Sequence, residues 1–149
     1  MNKFRLVVCL VVLSGQVFAQ QNQLPAKAAS TSIPALMEGN FVDDYDIAYT
    51  INDTLWTQLP NTKYHIIAWD TAAKYILAQN DEGNTSEGGL FTRIDYMYFT
   101  NMGSFHWGFC LTVYDAATVE EAKTKAVADR QNPKSGCNGY PFSRMLRRG

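Results

Sequence analysis

Acid–base chemistry or metal binding in a small chain needs clustered histidines and carboxylates, and the candidates here are His65, His106 and Asp95. The two histidines stand in different strand-like stretches, each between bulky neighbours (Tyr64-His65-Ile66 and Phe105-His106-Trp107). No H-x-H, H-E-x-x-H or C-x-x-C spacing gathers a ligand set, so ordinary hydrogen-bonded histidines are the favoured reading and no metal is assigned. Two acidic runs, Asp43-Asp44 with Asp46 and Asp81-Glu82 with Asn84 and Glu87, could offer oxygens to calcium. Neither has the D-x-[DN]-x-[DN]-G spacing with its distal glutamate, and both read as solvated turns. There is no G-x-S-x-G elbow and no cofactor-binding motif. A secreted hydrolase-type enzyme, with His65 or His106 acting beside Asp95, is therefore the least favoured class, and no residue is assigned as catalytic.

Binding chemistry is better represented. The chain holds eight tyrosines, eight phenylalanines and three tryptophans, most of them in or beside strand candidates. Strand aromatics are packing residues first, yet several on one concave face would offer broad apolar contact with hydroxyl or indole donors. Arg93 and Asp95 share one strand face by period 2, and an inward-facing pair would mark a site, because burying unpaired charge is costly. The residues expected to line a ligand site are Tyr49, Trp69, Arg93, Asp95 and Trp107.

The N-terminus reads as an address. Lys3 and Arg5 precede the apolar run Leu6–Leu13, and Val17-Phe18-Ala19 places small side chains where a signal peptidase would cut, before Gln20. The run falls short of the ~20 apolar residues needed to span a bilayer. Residues 1–19 are thus expected to be a signal peptide, 20–32 a flexible polar lead-in, and 33–149 a single β-rich domain, secreted or periplasmic. Of three cysteines, Cys9 belongs to the leader, leaving Cys110 and Cys137 as an expected disulfide in an oxidising compartment. Removing the leader takes two of 13 basic residues and none of the 14 acidic ones, moving the formal charge from −1 to −3. Such a balance argues against nucleic acid or an anionic membrane surface as partner. The sequons Asn52-Asp53-Thr54 and Asn84-Thr85-Ser86 would accept glycans only in a eukaryotic secretory route.

These residues need elements to hold them. Tyr45–Asn52 alternates apolar and polar as a half-wet strand does, and Thr54–Leu59 follows as a second strand. Lys63–Trp69 and Lys74–Gln79 form one hairpin-like pair, Leu90–Phe99 and Ser104–Tyr114 another, and the tail offers a short seventh strand around Tyr140 and Phe142. Thr118-Val119-Glu120-Glu121 is a capping box, and Val119, Ala122, Ala126 and Val127 recur at helical spacing until Asn132-Pro133. The expected fold is mainly β, an antiparallel meander of six to seven strands closing into a small barrel with one C-terminal helix packed on it. An open curved sheet crossed by the helix is the alternative.

Gly39-Asn40-Phe41 before the first of these strands is similar to the G-x-W opening of lipocalins, with phenylalanine for tryptophan. Arg93-Ile94-Asp95-Tyr96 resembles that family's internal T-D-Y segment, and the late helix followed by Arg144 resembles the order in lipocalins and the wider calycin group. The resemblance implies a barrel holding a small apolar ligand. An exported, non-catalytic carrier or sensor with a small apolar or aromatic ligand is therefore the leading functional reading. A secreted protein-interaction module or inhibitor is the alternative.

Overall fold

The computed structural model describes residues 32–149; the expected signal peptide and nearly all of the lead-in lie outside the described residues. Eight antiparallel strands follow one another around a closed barrel: β1 (Gly39–Asp43), β2 (Ala48–Ile51), β3 (Leu55–Gln58), β4 (Thr62–Asp70), β5 (Tyr75–Asn80), β6 (Phe91–Tyr98), β7 (Trp107–Ala116) and β8 (Ser143–Arg147). The meander and the closure match expectation, with one strand more than the upper count. Phe41 pairs with Arg147 and Asp43 with Met145, so β8 bonds to β1 on one side and to the first residues of β7 on the other and closes the ring.

Strand β1 is the additional element. The alternation that begins at Tyr45 is only partly a strand: residues 44–47 form a tight turn, with Asp46 at a φ of 63°, and β2 starts at Ala48. The turn is built by a side chain. One Asp43 carboxylate oxygen accepts from the backbone N–H of Tyr45 and of Ile47, both at 2.9 Å, the local trade that makes aspartate a turn residue.

Inward-facing side chains alternate along every strand and fill the lower barrel. Phe41, Trp56, Ile76, Ile94, Tyr96, Trp107 and Phe109 belong to one continuous core, which Met37 plugs from the N-terminal segment. The aromatic rings meet edge to face: Trp56 lies 5.0 Å from Phe109 and 6.0 Å from Trp107, and Trp107 lies 5.2 Å from Phe41. At this closed end Gly39 has a φ of 127°, and a Cβ there would stand 2.6 Å from the Arg147 guanidinium. Only glycine lets Arg147 lie across the Phe41 ring, 4.9 Å from its centroid. Arg147, rather than Arg144, is the C-terminal arginine seated on the G-x-F ring. The barrel with a single late helix is consistent with a lipocalin-like fold.

Helix α1 (Val119–Thr124) starts at the expected cap. The Thr118 hydroxyl accepts from the Glu121 N–H at 3.1 Å, and the Glu121 carboxylate reaches back to the Ala117 N–H at 2.9 Å. It is much shorter than its apolar spacing suggests, because the barrel wall captures its end. Arg93 donates to the Lys123 carbonyl at 2.6 Å, and the following segment, including Ala128 and Arg130, lies against Asp95. The tail then turns at Asn138-Gly139, both at positive φ, beside the Cys110–Cys137 disulfide. Replacing both cysteines by serine is expected to cost ~3.5 kcal/mol, the loop-closure value for a bridge spanning 27 residues, read from urea unfolding of oxidised protein and the double variant.

Candidate functional site

The barrel opens where its seam is short. β7 pairs with β6 as far as Ala116 but with β8 only through Trp107–Phe109, so its upper half leaves the β8 side uncovered. There the two walls part into a cavity of about 420 Å³. Tyr49 and Phe109 form its floor, Ile47 and Leu111 its apolar sides, and Gln58 and Asn138 bring amides to it. The tail guards the β7 edge, with the Asn138 amide donating to the carbonyls of Leu111 and Thr112. Three tyrosines on separate segments rim the opening: Tyr45, Tyr114 and Tyr140, with 61, 49 and 73% of their surface exposed.

Tyr49 gives the cup its one oriented polar group. Its hydroxyl donates to the second Asp43 carboxylate oxygen at 2.9 Å, so Asp43 serves both the β1–β2 turn and the floor. Burial, reinforced by the adjacent Asp43 charge, pushes the Tyr49 hydroxyl well above the ordinary phenol range. It therefore stays neutral, with its proton committed to Asp43 and its oxygen lone pairs able to accept from a guest. On the opposite side of the mouth, Tyr64 is also buried, and burial with the Glu87 charge raises its hydroxyl in the same sense.

The five residues expected to line a site do not converge. Tyr49 alone borders the cup. Trp69 lies at the closed end, its indole N–H donating to the Asp53 carbonyl at 2.9 Å. Trp107 is buried beneath the cup between Phe41 and Trp56, and its indole N–H has no acceptor among the described residues. Arg93 and Asp95 share a face, as period 2 requires, but it is the outer face, covered by α1 and the segment after it. Arg93 forks onto Asp95 at 2.8 and 2.9 Å and stacks 4.1 Å from the Tyr75 ring, while Asp95 also receives Arg130 at 2.6 Å and the Thr112 hydroxyl at 2.5 Å. Both guanidinium groups meet the one Asp95 carboxylate, Arg93 enclosed and Arg130 partly open to solvent, so the group works as a clamp between wall and tail.

The acid–base pairing weighed above is not assembled. Asp95 has arginines for neighbours, and His65 instead meets Asp81 at 2.7 Å on the exposed outer surface. That contact holds the Asp81 carboxyl below the usual carboxylate range. Among the described residues no group of three His, Cys, Asp or Glu side chains is placed to hold a metal ion.

Gln58, Leu111, Tyr114 and Asn138 also border the cup, with Asp43, which the sequence offers only as an oxygen of an acidic turn, and Tyr140, which it offers only as a strand residue. Two signals pointed to them: Asp43 shares the face of Phe41 two residues on, and Asn138-Gly139 is a tight-turn pair next to Cys137. Compared with models of protein families, with curated proteins and with solved structures, the chain matches none.

Proposed function

We propose that this chain is an exported, non-catalytic binding protein that seats a small apolar or aromatic molecule in the cup at the barrel mouth. The observation that carries the reading is the aromatic floor of Tyr49 and Phe109 with one hydroxyl fixed in direction by Asp43. Small-molecule sites combine these features: mostly apolar walls and a few placed polar groups in a volume of several hundred Å³. The guest is shallow, because the aromatic stack of Trp56, Trp107 and Phe109 occupies the space below. A flat neutral molecule with one hydroxyl or N–H to donate fits best, since Asp43 keeps the floor unattractive to anions. A disulfide joining wall and tail supports export to an oxidising compartment. Tyr45, Tyr114 and Tyr140 also favour a second reading, in which the same rim receives a protein partner.

Indole and phenol serve as probes, followed by amide chemical shifts. Both are expected to shift residues of the cup. Leu111→Arg, which fills it, should abolish binding, and Tyr49→Phe should weaken it ~5-fold, about the worth of one hydrogen bond. Shifts elsewhere, or none, would refute the cup. Native mass spectrometry of protein from its own source tests the rest, with a chain beginning at Gln20 and a retained small-molecule mass as the expected result. A chain starting at Met1 rules out the export reading.

A further inference from the structure

A second cavity, of about 530 Å³, lies on the outer wall and is separate from the cup except where Tyr45 and Pro141 border both. Its apolar walls are set before any guest arrives. On one side Phe99 lies flat against β7, possible only because residue 108 is glycine: a Cβ there would stand 2.8 Å from the Phe99 ring. Met102 extends this side along the β6–β7 loop. On the other, Phe142 is fully buried, its N–H bonded to the Pro133 carbonyl at 2.9 Å, and it packs in one cluster with the Cys110–Cys137 bridge.

The charges at the rim do not balance. Asp44 occupies the backbone N–H and the Nε of Arg144 at 2.9 and 2.8 Å. The terminal guanidinium nitrogens hold no hydrogen bond among the described residues, and the guanidinium carbon lies 4.9 Å from the Phe105 ring centroid. Lys134, also lining the cavity, has no ion pair among the described residues. One carboxylate thus faces two cations across an apolar trough. A guest carboxylate would meet the unused guanidinium N–H groups and the ammonium together, and charge-assisted bonds of this kind are the strong ones.

We propose that this cleft is a second binding site, for a small apolar acid, with the hydrophobic body between Phe99, Met102 and Pro141, over the buried Phe142, and the carboxylate between Arg144 and Lys134. The site goes beyond the cup and has the opposite charge preference: Asp43 disfavours anions there, whereas the cleft has a spare positive charge.

The test compares 4-phenylbutyrate with its amide by amide chemical-shift titration. The acid is expected to bind at least 10-fold more tightly and to shift Phe99, Met102 and Phe142. Lys134→Glu, at an exposed and unpaired position, should erase the preference for the acid with the circular dichroism unchanged. Met102→Glu should weaken acid and amide alike, and Leu111→Arg in the cup should leave both as they were. Equal binding of acid and amide, an unchanged preference in Lys134→Glu, or shifts confined to the cup would overturn the assignment. Because Leu111→Arg separates the two cavities, either site can fail without the other.

Discussion

Asp95→Ala is expected to destabilise the protein by ~3–5 kcal/mol, the usual cost of removing one partner from a buried charged network. Asp95 is fully buried and accepts from Arg93, Arg130 and Thr112, and its loss leaves Arg93 enclosed beneath Lys123 and Tyr75 with no counter-charge. Urea unfolding followed by tryptophan fluorescence measures the loss, and hydrogen exchange should locate it in α1 and the segment through Arg130. A paired replacement, Arg93→Met with Asp95→Leu, should be milder than Asp95→Ala, because both enclosed charges leave together and Arg130 can turn to solvent. If the single variant loses under ~1 kcal/mol, or the pair is worse than the single, the clamp does not hold the tail to the wall.

Trp56→Ala is expected to cost a similar ~3–5 kcal/mol for a different reason. Trp56 has no exposed surface and sits at the centre of the aromatic stack, 6.1 Å from Tyr49, 6.0 Å from Trp107 and 5.0 Å from Phe109. Its neighbours are held on separate strands of a closed cylinder and cannot all move in, so much of the space remains open. Added indole should then raise the melting temperature of the variant more than that of the parent. A loss below ~1 kcal/mol, or an equal response to indole, would show that the lower barrel is not close-packed around this ring.

The part of the fold legible in the sequence is the part governed by local period. Between Thr62 and Ala116 the strand stretches are rich in aromatic and β-branched residues and are separated by polar, glycine-containing turns, and β4 to β7 lie close to the expected bounds. Strand β1 escaped because five residues containing Gly39, Asn40 and Asp43 have little strand character, and their partners β2 and β8 lie elsewhere in the chain. The first alternating run overstates β2 because Asp43 bends residues 44–47 with its side chain, which hydropathy does not record. The apolar spacing overstates the helix because what ends it, Arg93 on the Lys123 carbonyl, lies 30 residues away.

The site was less legible for the same reason. Period 2 put Arg93 and Asp95 together but could not say which side of the wall they faced, since that depends on how the barrel closes. Tyr49 was found as a strand aromatic. Its partner Asp43 ends β1, and the rim tyrosines come from the β1–β2 turn, β7 and the tail, segments whose meeting is purely tertiary.

Because Phe41 pairs with Arg147 across more than a hundred intervening residues, the seam has a consequence for the order of events during synthesis. A chain emerging from its N-terminus can form hairpins β2–β3, β4–β5 and β6–β7 early, but it cannot close the cylinder until residue 147 is in hand. Until then β1 and β7 both present unpaired backbone, and the ring of strands is an open sheet with two adhesive sides. Long-range pairing of this kind is slow relative to hairpin formation. The five residues of β8 thus act as a latch, and the nascent chain is most vulnerable to joining a neighbour just before it shuts.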